Sequence, residues 1–150
     1  MRALTIWQPW ATLIAEGLKP YEFRGWAAPA YVQGQRIAIH AGARPIKSGE
    51  VKELLLMLQK EGSFGTGLVV HGSIALLERV LAGMTLPRSA IVCTGVLGTP
   101  IRAGDIPGLE ADSDRIDHSK WGWPITEIQR LEPPAPATGM QGFWTWRAEA

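Results

Sequence analysis

Cysteine is nearly absent from this chain: Cys93 is the only one. An intramolecular disulfide framework is therefore excluded, and a reducing compartment is the matching environment. Long apolar runs are missing as well, none reaching the ~18 residues a membrane-crossing helix needs. The opening MRALTIWQPW meets Gln8 and Pro9 too early for the apolar core of a secretory signal. Net charge is almost nil, with 15 basic against 14 acidic side chains, which excludes a strongly basic nucleic-acid coat protein. There is no internal repeat and no low-complexity tail. What remains is the expectation of a soluble, cytoplasmic, single domain over residues 1–150, long enough to bury its own core.

Glycine and proline, by contrast, are plentiful at 17 and 11 positions and are spread along the chain. With 46% apolar residues, that pattern reads as short elements joined by tight turns rather than as disorder. Strands are expected at Ala3–Ile6, Tyr21–Gly25, Arg36–His40 and Leu68–His71. A longer, bent strand is expected over Ala90–Ile101, and two late ones over Trp121–Arg130 and Phe143–Arg147, with the PPAP sequence at 133–136 as a turn between them. Helices are expected over 8–16, Ser48–Glu61 with a serine cap, and Ile74–Leu81. Residues 105–119 read as a polar loop. The order indicates an α+β fold, a sheet or barrel flanked by a few helices.

Charge is uneven along the chain. Residues 1–49 carry six basic side chains and two acidic ones, and no acid lies between Glu22 and Glu50. Such asymmetry fits a binding surface with one electropositive side, unless folding disperses it. The most informative segment is GLKPYEFRGW at 17–26. In a strand, alternation puts Tyr21 and Phe23 on one face and Glu22, Arg24 and Trp26 on the other. Lys19, Glu22 and Arg24 then converge at one strand end. A lysine can hold a phosphate or polarise a carbonyl, an arginine can fork onto a phosphate or base edge, and a glutamate can orient or deprotonate. The plainer reading is a surface Glu–Arg pair beside a solvated lysine.

The spacing G-x-K-x-x-E-x-R, met by Gly17, Lys19, Glu22 and Arg24, resembles the signature of the ASCH domain family. The resemblance extends to Gln8-Pro9-Trp10, Trp26, the IHAG segment at 39–42, and the WGW and GFWTW segments near the end. It implies a PUA-like fold, a small β-barrel with flanking helices, and a role in RNA or nucleotide biology. Some members resemble nucleic-acid binders; others are ribonucleases or amidohydrolases that deacylate cytidine nucleosides. By that resemblance Lys19 is the catalytic or phosphate-contacting lysine and Arg24 its basic companion. The small cytidine amidohydrolases carry threonine where this chain has Glu22, and a glutamate can serve there only as base or orienter. They also need a second carboxylate; Glu78 and Glu110 are the candidates, with nothing to choose between them.

Other residues add to this. His40 and His71 each close an apolar run, and either lines the cleft or serves as a buried structural histidine. With His118 and Cys93 they give no metal-ligand spacing, and no cofactor motif is present. Cys93 reads as a small buried hydrophobe. Arg44, Pro45 and Lys47 lead into the 48–61 helix, where Arg44 either meets a phosphate or belongs to a solvated basic loop. Of seven tryptophans, about five are expected in the core. Trp7 and Trp26, nearest the charged motif, are the ligand-facing candidates for base stacking. The sequence thus points to RNA or another single-stranded nucleic acid as partner, bound by Trp7, Lys19, Glu22, Arg24, Trp26, His40 and Arg44. The alternative is a hydrolase acting on RNA or acylated cytidine with Lys19 and Glu22 as catalytic residues.

Overall fold

The computed structural model describes residues 1–109 and 121–148. The chain forms β1 (Arg2–Ile6), α1 (Trp10–Ala15), β2 (Tyr21–Arg24), β3 (Arg36–Ala41), α2 (Ser48–Thr66), α3 (Val70–Leu81), β4 (Ala90–Leu97), β5 (Ile101–Arg102), β6 (Trp121–Pro136) and β7 (Phe143–Thr145). The architecture is α+β: among the described residues, a curled, mixed sheet carries α1 against it, and α2 and α3 pack on each other and on α1.

The strands run in the order β2-β6-β4-β3-β1-β7, and β5 adds to β6. β1 and β3 are parallel and the other ladders antiparallel. β6 is the long member. Its first residues, 121–124, pair with β2 and β5, and its remainder pairs with β4. Curling follows from the register shifts along β4 and β6, since each bulge bends its strand and increases the local twist. Inside the curl, Leu4, Ile6, Ile14, Ile37, Ile39, Leu97, Trp123 and Ile125 form the main core. A second apolar cluster joins α2 and α3 to α1 through Leu13, Leu54, Leu58, Leu76 and Leu77.

Several expected boundaries differ from those observed. Leu68–His71 is no strand: Gly67, at φ 70°, ends α2 in the left-handed conformation, and Val70 already opens α3. A four-residue apolar run is equally the first turn of a helix. Ser48 does not cap α2; it is the first helical residue, and the preceding Lys47 makes no side-chain capping bond. α2 continues past Glu61 through a non-helical kink at Gly62. The strand expected from Ala90 to Ile101 is two, β4 and β5, broken at Gly98, whose N–H bonds to the Pro124 carbonyl at 2.8 Å. The PPAP segment is not a turn but the end of β6. Pro133 and Pro134 fall within the register shift opposite Ile91–Cys93, where no ladder donor is required of them. Most of the polar loop expected at 105–119, with Glu110 and His118, lies outside the described residues. No helix among those described is long and apolar enough to cross a membrane.

Candidate nucleic-acid interface

α1 is brief, and its ends are built to hand the chain to the site. The Gln8 carboxamide is buried against the start of the helix. Its Oε1 accepts the Thr12 N–H at 2.9 Å, and its Nε2 donates to the Thr12 hydroxyl at 2.7 Å and the Pro87 carbonyl at 2.8 Å. At the other end Gly17 takes φ 73°, a conformation glycine enters without strain. Leu18 and Lys19 then both donate their N–H to the Leu13 carbonyl, at 2.8 and 3.1 Å. That turn drives the Lys19 side chain inward.

Lys19 is 4% exposed and Glu22 8%. The surface-pair reading is therefore wrong for these two: both are interior. The Lys19 ammonium donates to the Tyr21 carbonyl and, at 3.1 Å, to Glu22 Oε1. The Phe23 N–H donates to the same oxygen at 3.2 Å. Arg24 approaches the other oxygen, Oε2, with Nε at 3.3 Å and Nη2 at 3.0 Å. Both carboxylate oxygens are thus shared between cations. Burial alone would raise the Glu22 pKa; the Lys19 ammonium and Arg24 guanidinium overcome it and hold the carboxyl below its ordinary range.

β2 is covered on both faces. Tyr21 and Phe23 pack against Ile101, Ala103 and Ile106. On the other face Glu22 stands opposite Trp123, and Arg24 opposite Trp121. The Arg24 guanidinium carbon lies 5.8 Å from the Trp123 ring centroid and 6.0 Å from that of Trp26. The Trp123 indole N–H holds the Trp26 carbonyl at 2.9 Å, fixing the loop after β2.

These side chains line one cavity of about 860 Å³, within the ~300–1,000 Å³ usual for small-ligand sites. It brings together Trp7, Lys19, Glu22, Arg24, Trp26 and His40. Trp7 and Trp26 are 56% and 59% exposed. The other five tryptophans are buried or half-buried. Trp7 precedes α1, so it shares no helix face with Trp10, yet both line the cavity.

Arg44 is not in the lining. Its guanidinium lies 4.3 Å from the Trp7 ring centroid and pairs with both oxygens of Glu50, at 2.6 and 3.1 Å. It braces Trp7 from outside and faces an acid of α2. His40 is buried and fully bonded: Nε2 meets the Ala137 carbonyl at 2.7 Å and Nδ1 the Thr5 hydroxyl at 3.1 Å. A carbonyl only accepts, so Nε2 carries a proton. His71 sits exposed on α3, away from the cavity, as does Glu78. Among the described residues, Glu22 is the one carboxylate in the lining.

Sequence reasoning passed over residues 138–142, which form one wall together with Thr5 and Ser89. A Cβ on Gly139 would come within 2.6 Å of both the His40 ring and the Thr5 hydroxyl. The segment therefore lies directly on those two side chains. Its only sequence signal is the pair of glycines in TGMQG between two strand-like runs. Cys93 is buried and its thiol is pushed up to about 12 by that burial, leaving it inert. No group of three or more metal-ligating side chains occurs among the described residues.

No curated protein matches this chain. The model of the ASCH domain family does match it, over residues 4–89, a stretch that carries Trp7, Lys19, Glu22, Arg24, Trp26 and His40. With more than half of its length matched, the chain belongs to the ASCH domain family.

Proposed function

We propose that this protein binds RNA or another single-stranded nucleic acid, taking an unpaired base into the cavity. The observation that carries this reading is the pairing of two exposed indoles, Trp7 and Trp26, with the Lys19–Glu22–Arg24 cluster in the lining of one cavity. An aromatic face accepts any base, and stacking is worth ~1–3 kcal/mol per base. Arg24, with Nε and Nη2 turned to Glu22, has no partner for Nη1 among the described residues, and so keeps an edge for a phosphate or a base carbonyl. The curled sheet with its helices supports a PUA-like domain, for which a small β-barrel with flanking helices is expected.

Binding is favoured over hydrolysis by the state of Glu22. A general base works best with a pKa near the working pH. Glu22 is held below the ordinary carboxylate range, so it orients Lys19 and Arg24 rather than taking a proton. The second carboxylate an amidohydrolase requires is not found in the lining among the described residues.

The test is a fluorescence-polarisation titration with short labelled single-stranded RNA. Trp26→Ala and Trp7→Ala, both at exposed positions, are expected to weaken binding by roughly fivefold to a hundredfold. Arg24→Gln should weaken it and flatten its salt dependence. Unchanged affinity in all three variants, or no binding by the folded wild type, overturns the reading.

A further inference from the structure

The ladder partners of Arg24 carry the site beyond the cavity. Arg24 on β2 stands opposite Trp121 on β6, and Trp121 in turn stands opposite Arg102 on β5. Directly opposed residues of antiparallel strands share a sheet face. A guanidinium, an indole and a second guanidinium therefore form one row across three strands. Glu22 and Arg24 are two apart on β2, so the row lies on the face that carries the Lys19–Glu22–Arg24 cluster. At ~4.8 Å per strand, the backbones of Arg24 and Arg102 are about 10 Å apart.

Among the described residues, the Arg102 side chain at the outer end of this row meets no acid and lies on the Trp121 ring. Arg102 is exposed, its guanidinium carbon lies 4.2 Å from the Trp121 ring centroid, and it has no ion-pair partner among the described residues. That sets it apart from Arg44 and Arg130, each of which is neutralised by a glutamate. An indole face holds the cation without cancelling its charge. A guanidinium so held offers donors in the geometry that phosphate oxygens accept.

We propose that Arg102, held on Trp121, is a second subsite that takes the phosphate of an adjoining nucleotide when a base occupies the cavity. The inference rests on the nucleic-acid reading above and sharpens it. The ligand is an oligonucleotide crossing β2, β6 and β5, not a free nucleoside. Cation, aromatic ring and cation in sequence suit a polymer that alternates phosphate with base.

The experiment compares wild type, Arg102→Gln and Trp26→Ala for two ligands: a labelled single-stranded RNA hexamer of mixed sequence, and nucleoside monophosphates as competitors. Arg102→Gln is expected to lose roughly tenfold in hexamer affinity. Its slope of log K on log salt should be shallower by about 0.7, the value of one phosphate contact on a single strand. Inhibition by the monophosphates should not change. Trp26→Ala should weaken both ligands. If wild type binds the hexamer through Trp26 while Arg102→Gln matches it in affinity and salt slope, the subsite is refuted and the cavity reading stands. If wild type binds neither ligand, both fall together.

Discussion

Four hydrogen bonds end on the Glu22 carboxylate, two at each oxygen, and two of its donor residues are cations. Such a group is a structural acid before it is anything else. Replacing it with Gln leaves Lys19 buried against a neutral partner, and breaking a buried pair costs about 3–5 kcal/mol. The Glu22→Gln variant is therefore expected to unfold at lower denaturant concentration than wild type, as followed by tryptophan fluorescence. Its pH response should differ too. Because the folded carboxyl is the stronger acid, Glu22 contributes its full stability above the unfolded value of ~4.3. That contribution is lost as pH falls through the lower, folded value. Wild type should thus lose stability more steeply than Glu22→Gln on acidification, and equal slopes would contradict the assignment. Cys93 gives the opposite case, a group raised by burial: iodoacetamide should modify it only once denaturant opens the core.

At the scale of elements, the site is held by two loop anchors rather than by any one strand. Gln8 ties the start of α1 to the Pro87 carbonyl, and His40 ties the 137–142 segment to the β1–β3 ladder. Gln8→Ala should cost about 1–2 kcal/mol, the penalty for losing a helix cap and leaving buried groups unpaired. Gly139→Ala should lift its segment off Thr5 and His40 and weaken ligand binding with only a modest change in melting temperature. A structure of the variant or its amide chemical shifts would show the displacement. Some of this was legible in the sequence. The helix face of Leu54, Leu55 and Leu58 follows from spacing, and these three do pack with the α2–α3 cluster. Alternation in YEFR correctly divides Tyr21 and Phe23 from Glu22 and Arg24. What spacing could not convey is burial of the charged pair, because the walls that cover it come from α1 and β6, far apart in the chain. Nor could it show Arg44 turned to Glu50, a choice between a phosphate and an acid that only tertiary placement makes.

For the molecule as a whole, the unequal charge of the chain is partly cancelled in three dimensions. Arg44 is paired with Glu50, Arg130 with Glu16 and Glu132, and Lys19 with Glu22. The proposed site sets two cations, Arg24 and Arg102, against phosphate, so binding of single-stranded RNA should fall with salt at a slope of only about −1.4, two contacts at ~0.7 each. A slope several times steeper would mean a groove along the surface instead of a cavity with one further subsite. β6 has a consequence of another kind. The same unbroken strand supports β4 in the core through its later residues and β2, with Glu22 and Arg24, through its first four. Elsewhere in proteins, binding segments often open on their own, well below the free energy of global unfolding. Here the backbone amides of β2 and of the core share one strand, so their hydrogen exchange should converge on a single opening event. The floor of the cavity would then be as persistent as the core itself.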